Sequence, residues 1–134
     1  MVEVIPYTTM NFKDNKAIYL QIADRIGDQI LSGKLTPEGK VPSVRELAAE
    51  IEVNANTVAR TYDHLQQNGI IYTKRGLGYF VSPDAQDKIV ASRRELLMQG
   101  EMDYCLGQLK AVGITPAELQ DLYKDYLNRA NASS

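Results

Sequence analysis

Read for spacing, the first half of the chain alternates helical runs with short punctuated turns. Residues 17–32, AIYLQIADRIGDQILS, place Ile18, Ile22, Ile26 and Ile30 four apart, with Tyr19 and Leu31 beside them. That is one apolar stripe on a helix, and Gly33 stands where a helix C-terminus is expected. A turn on Pro37 and Gly39 follows, then Ser43-Val44-Arg45-Glu46, a capping box in which Ser and Glu satisfy each other's free backbone donors. The helix it opens runs from Val44 to about Ile51, with Val44, Leu47, Ala48 and Ile51 facing inward. After Glu52-Val53 another helix starts at Asn54, a good N-cap, with Val58, Tyr62 and Leu65 on its buried face, and Asn68-Gly69 closes it. Two short helices joined by a tight turn, with Val53 plugging the corner, describe a helix-turn-helix. Ile70-Ile71-Tyr72 then leads into Gly76-Leu77-Gly78, and Tyr79-Phe80-Val81 leaves it, a hairpin ended by Pro83. A helix-turn-helix followed at once by a hairpin is a winged helix.

From Asp84 onward the pattern is purely helical. DAQDKIVASRRELLM reads as one helix, interrupted or kinked near Gly100, and EMDYCLGQLKAV as a second, stopped by Gly113. Thr115-Pro116-Ala117-Glu118 is another capping box, opening an amphipathic helix that carries Leu119, Leu122, Tyr123, Tyr126 and Leu127. The terminal RANASS is expected to fray. The predicted fold is mainly α with a small β-hairpin: a winged helix-turn-helix over residues 1–83 and a helical tail over residues 84–134.

Composition narrows the chemistry. The 134 residues are 44% hydrophobic and 24% charged, as in a globular protein. No apolar run approaches the ~18 residues needed to span a membrane. MVEVIPYTTMNFKDNK lacks the basic start and apolar core of a secretory signal, so a cytoplasmic protein is expected. A single cysteine, Cys105, excludes an intramolecular disulfide and a thiolate metal cage; its helical context reads as a small core residue. The single histidine, His64, lies far from it, and no GxSxG, HExxH or phosphate-loop motif is present. No catalytic residue, metal or cofactor is expected.

Charge at first argues against nucleic acid, since the formal net is −2 and the pI near 5.4. The local balance differs. Residues 54–82 hold Arg60, Lys74 and Arg75 against Asp63, three cations to one acid, a net of +2. On a helical wheel Asn56, Arg60, Asp63, His64 and Gln67 lie opposite the Val58/Tyr62/Leu65 face. The N-terminal residues of such a helix enter the major groove, where Asn can pair with adenine, Arg with guanine, and Thr57 with a thymine methyl or a phosphate. The helix N-termini at Ser43 and Asn54 add anion sites without formal charge. The alternative is a winged-helix protein–protein module without DNA binding. It predicts an apolar patch on this face, where Asn56, Arg60 and Gln67 are polar.

At PEGKVPSVRELAAEIEVNANTVARTYDHLQQNGIIYTKRGLGYFV the sequence resembles the DNA-binding domain of GntR-type bacterial transcription regulators. Upstream IYLQIADRI and GKL fit that domain's first helix, so the resemblance covers roughly residues 10–82. PSVREL, NTVARTY and NGII…RGLGYFV occur in order at the family's spacing, and the short helical tail is similar to the YtrA subfamily. The resemblance implies that Arg45 contacts the DNA backbone and that Lys74, Arg75 and Gly76 form a wing tip reaching phosphates or the minor groove. It also implies a homodimer, built by the tail's surplus apolar residues Leu96, Leu97, Leu106, Leu109, Leu119, Leu122, Tyr123 and Tyr126. Such a dimer would act as a repressor on a palindromic operator in double-stranded DNA. A small-molecule effector is compatible with a pocket lined by Tyr104, Cys105, Tyr123 and Tyr126. Ala55 and Ala59 stand where many relatives carry Arg, and Tyr79 where Thr is commoner, so base preference does not transfer.

Overall fold

A computed structural model of the chain describes residues 16–133. The expectations for the N-terminal MVEVIPYTTMNFKDN, and the start of the family resemblance at residue 10, lie outside the described residues. The described residues fall into two compact units that part between Arg93 and Arg94.

The first unit begins with α1, Ile18–Leu31, which buries Ile22, Ala23, Ile26, Gly27 and Ile30. Ile18, first of the expected stripe, is 54% exposed, and Leu31 is exposed as well. Residues four apart advance about 40° around a helix at each step, so a long four-spaced row walks off the buried face. α2, Val44–Ile51, carries both halves of its capping box: Glu46 N–H donates to Ser43 Oγ at 3.1 Å, and Ser43 N–H donates to Glu46 Oε1 at 2.9 Å. Leu47 and Ala48 are buried, with Val44 and Ile51 half-buried against them. Glu52 turns the chain in a left-handed conformation, and half-buried Val53 packs on the core while its N–H donates to the Ala48 carbonyl at 3.0 Å. α3, Ala55–Gln67, is capped by Asn54, whose side chain accepts from Asn56 N–H at 2.8 Å.

α3 is the centre of this unit. It buries the expected Val58, Tyr62 and Leu65 and also Thr61, a polar residue that periodicity alone did not place inside. The Thr61 hydroxyl donates to the Tyr19 carbonyl on α1 at 2.8 Å, which satisfies it within the core. Tyr62, fully buried, donates its hydroxyl to the Pro42 carbonyl at 2.6 Å and meets the Tyr79 ring edge-on at 4.9 Å.

The wing pairs β1, Ile71–Lys74, with β2, Gly78–Val81, antiparallel, with Tyr72 opposite Phe80 and Lys74 opposite Gly78. The segment before α2, read from sequence as a turn, adds a third rung. Glu38 N–H donates to the Val81 carbonyl, Val81 N–H to the Gly39 carbonyl and Val41 N–H to the Tyr79 carbonyl, so Lys40 pairs with Phe80. A turn at Pro37-Glu38, with Glu38 at φ +64°, precedes this rung, and Pro42 follows it.

α4, Ala85–Leu96, starts inside the first unit. Ala85 and Ile89 are buried in its core, and Gln86 Nε2 donates to the Ile30 carbonyl at 3.0 Å, near the end of α1. Arg93 lies across α1, donating to Asp28 Oδ1 at 2.7 Å and to the Asp24 carbonyl at 3.0 Å. A Cβ on Gly27 would stand 2.7 Å from the Arg93 guanidinium, so the crossing uses the bare glycine. Residues 84–93, placed with the tail by their change in composition, therefore pack with the winged helix.

In the second unit the interruption expected near Gly100 is a π-helical turn, Leu97–Glu101, leading into α5, Met102–Ala111. Gly113 ends α5, and the Thr115–Glu118 capping box opens α6, Pro116–Ser133. α6 reaches Ser133, so the RANASS segment begins within it. Of residues 94–132 none is buried. Cys105, expected in a core, is exposed, and among the described residues α5 buries none of its own. Among the described residues no helix is long and apolar enough to cross a membrane.

Tyr62→Phe is expected to cost about 1–3 kcal/mol, the penalty for leaving the Pro42 carbonyl without its donor. Burial pushes the Tyr62 phenol up from its ordinary value. Its contribution is complete below the free-tyrosine value of roughly 10 and is lost as pH rises beyond it. Urea unfolding of both proteins between neutral and alkaline pH should show a shallower decline in the variant.

Candidate nucleic-acid interface

Three short segments carry the polar groups singled out from sequence. Ser43 and Arg45 stand at the start of α2, Asn54, Asn56, Thr57 and Arg60 on the first turns of α3, and Lys74, Arg75 and Gly76 at the hairpin tip. All lie in the first compact unit, where α2 packs on α3 and α3 on β1. All are exposed except Thr57, which is half-buried. On α3 the exposed positions 56, 60, 63 and 67 alternate with the buried 58, 61, 62 and 65 at helical spacing, so one face is sealed and the opposite one is free.

The helix N-termini are less open than the sequence suggested. At α2 the capping box places the Glu46 carboxylate where an anion would be drawn. Hydrogen bonds from the Ser43 backbone and then its hydroxyl, with a smaller contribution from nearby Lys40, hold this carboxyl below its ordinary range. At α3, Asn54 spends its side-chain oxygen on Asn56 N–H, while the Thr57 and Val58 N–H groups donate to the Asn54 carbonyl. What Ser43 and Asn54 offer a phosphate is mainly their own polar edges and the few N–H groups left by the caps.

Two of the cations, Arg60 and Lys74, rest on rings rather than on acids. Arg60 Cζ lies 4.0 Å from the centroid of the Tyr19 ring, and Lys74 Nζ lies 4.4 Å from that of Phe80, with Tyr72 further off at 5.9 Å. Gly76 has φ +77°, which lets the tip turn tightly enough to leave Arg75 exposed at its apex. An uncommitted Arg or Lys on a protruding tip is suited to contact phosphate oxygens.

The sequence model described as "Bacterial regulatory proteins, gntR family" matches residues 18–81. The HTH-type transcriptional regulator YhcF of Bacillus subtilis is 37% identical over 86% of this chain and 93% of that protein. A crystal structure of a putative GntR-family transcriptional regulator from Bacteroides thetaiotaomicron is 45% identical, covering 85% of this chain and 99% of that one, with a TM-score of 0.72. This chain belongs to the GntR family. The HTH-type transcriptional repressor YtrA of Bacillus subtilis is also similar, 37% identical over 65% of this chain and 67% of that protein. As a GntR regulator the chain carries a DNA-binding winged helix.

Three residues of the GntR domain escaped the sequence reading. Tyr19 was read only as a neighbour of the α1 stripe, yet its ring faces Arg60. Phe80 was read as strand filler, yet it supports Lys74. Lys40 was hidden in a turn; paired with Phe80, its side chain runs beside Gly78 and adds a third cation to the wing. Only the i,i+2 alternation of Tyr72, Lys74 and the opposite Phe80 hinted at any of this. Tyr79, the departure from the family pattern, is half-buried against Tyr62 and packs on the core. Two cavities lie in this unit: one of about 130 Å³ is lined by Ile26, Leu35, Val41, Leu47 and Tyr62 among others, and a second of about 300 Å³ by Leu35, Lys40, Val41, Pro42 and Glu46. Neither involves Tyr104, Cys105, Tyr123 or Tyr126, the residues with which a small effector pocket was compatible.

Ser43→Ala is expected to destabilise the fold by roughly 1 kcal/mol through loss of the cap. With the Glu46 carboxyl lowered in the fold, its contribution is present above its ordinary value and lost as pH falls through the lowered one. The variant's stability should therefore fall less steeply between neutral and acid pH, as thermal unfolding would show.

Proposed function

We propose that the protein is a cytoplasmic repressor that binds a palindromic operator as a homodimer, without catalysis. The observation that carries this reading is the free polar face of α3, set directly opposite the sealed Val58/Thr61/Tyr62/Leu65 face. In it Asn56, Thr57 and Arg60 read base edges, Ser43, Arg45 and Asn54 fix the register on the backbone, and Lys74, Arg75 and Gly76 grip phosphates beside the groove. Repression follows the activity named for the similar YtrA of Bacillus subtilis. The protein–protein alternative lacks the apolar patch it requires, because past Ala55 the exposed residues of α3, Asn56, Arg60, Asp63, Gln66 and Gln67, are polar.

Dimerisation is supported by the second unit. Leu96, Leu97, Leu106, Leu119, Leu122, Tyr123 and Tyr126 are all exposed, from 37% to 62%, and Leu109 is half-buried. α5 and α6 do not pack extensively on one another. An apolar surface of this kind on a small chain is suited to a second copy. Two wings related by a two-fold axis then imply half-sites about one helical turn apart. The few cations per subunit make that doubling important for affinity.

Selection of bound duplexes from a random pool should return a palindrome. On that duplex Arg60→Ala is expected to cost about 1–3 kcal/mol and to relax preference at one position per half-site. Arg75→Ala should weaken all DNA alike and lower the salt slope by about one. Equal effects of both changes on selected and random duplexes would remove the groove assignment. A chain ended after Arg93, which keeps Ala85 and Ile89 in the core, should sediment as a monomer. Leu122→Glu with Tyr126→Glu in the full chain should do the same, and a persistent dimer in either case would refute the tail's role.

A further inference from the structure

We propose that Tyr19, on α1 and outside the helix-turn-helix, is the positioning residue that presents Arg60 to the bases. This inference rests on the reading of Arg60 as a groove contact. The Arg60 guanidinium carbon stands 4.0 Å from the centroid of the Tyr19 ring, a distance at which a cation over an aromatic face is attracted by the ring quadrupole. A guanidinium carries all its N–H donors in its own plane. A partner that takes its flat face leaves those edges free for the bidentate contact a guanine offers. A carboxylate partner would occupy the edges and have to be displaced by DNA. Among the described residues no carboxylate pairs with Arg60.

Tyr19 is itself fixed against α3. Its carbonyl accepts from the hydroxyl of fully buried Thr61 at 2.8 Å, and Thr61 also reaches the Thr57 carbonyl one turn back, at 3.2 Å. Its ring meets the His64 ring edge-on, with centroids 5.9 Å apart and planes at 81°. His64 Nε2 lies 3.2 Å from Asn68 Nδ2 at the end of α3. The ring that receives Arg60 is therefore held at its backbone by one α3 residue and at its edge by another.

The consequence is preorganisation. A long exposed arginine samples many rotamers, and ordering them opposes binding. Held over a fixed ring, Arg60 meets the groove already ordered. With Ala55 and Ala59 flanking it, no other arginine on α3 can substitute.

The test compares full-length Tyr19→Leu, Tyr19→Phe and Arg60→Ala on the duplex selected from the random pool and on random duplex. Tyr19→Leu should weaken the selected duplex roughly two- to five-fold, the range of an exposed cation–π contact. It should relax preference at the position that Arg60→Ala relaxes, and leave random-duplex affinity and salt slope unchanged. Tyr19→Phe, which keeps the face, should match the parent, and adding Tyr19→Leu to Arg60→Ala should cost nothing further. In the DNA-free protein, NMR should show ring-current shifts on the Arg60 side-chain protons that persist in Tyr19→Phe and vanish in Tyr19→Leu. If Arg60→Ala relaxes base preference but the Tyr19 and Arg60 effects simply add, the positioning role fails while the groove reading stands. It fails likewise if Tyr19→Leu weakens both duplexes equally. If Arg60→Ala leaves base preference intact, the groove reading of Arg60 fails, and this inference with it.

Discussion

A buried phenol must find an acceptor, and for Tyr62 that acceptor is the Pro42 carbonyl, 2.6 Å away. This bond links the middle of α3 to the residue just before α2, so the spacing of the two helices is tied at a point the connecting turn cannot reach. The same ring stands edge-on to Tyr79 of β2, which brings the wing onto the same anchor. By its own backbone β2 also holds residues 38–41, the segment that delivers the chain to Pro42. The loop closes on itself: α3 holds the approach to α2, the approach holds the wing, and the wing packs against α3. The outward face of α3 and the wing tip keep their relative placement because of this circuit.

The protein's charge becomes intelligible in that frame. An acidic chain can serve a DNA-binding domain when its acids are committed elsewhere. Glu46 is drawn into the cap of α2, Glu38 accepts from the Tyr72 hydroxyl, Asp28 holds Arg93 and Asp24 holds Lys16. Arg60 and Lys74 rest on aromatic faces, which orient a cation without neutralising it. Local placement therefore matters more than the net of −2.

The two units use apolar residues in opposite ways. In the first, isoleucines and valines close a core around α3 that extends into α4 as far as Ile89. In the second, leucines and tyrosines remain on the surface of α5 and α6. Helices with uncovered apolar rows are suited to association, and that is the physical basis of the proposal that a second copy covers the tail.

Local chemistry made much of this chain legible from sequence. Capping boxes at Ser43 and Thr115, the Asn54 cap, the Gly stops and the apolar spacing of α1 to α3 act over a few residues, so their meaning is carried by neighbours in the chain. The winged helix followed from their order, and the motif PSVREL…NTVARTY…RGLGYFV carried the family. What escaped depended on contacts between distant segments. The pairing of Lys40 with Phe80, the burial of Thr61 against Tyr19, and the packing of Ala85 and Ile89 under α1 join residues that no periodic pattern relates. Cys105 read as core because its helical context is that of a small buried residue, yet it is exposed; the tail's apolar spacing records that a face exists but not what covers it. Sequence alone thus determined the helices, their caps and the polar character of α3. Tertiary structure alone decided which side chains orient the cations, because a ring can hold a guanidinium only after folding has brought their two helices together.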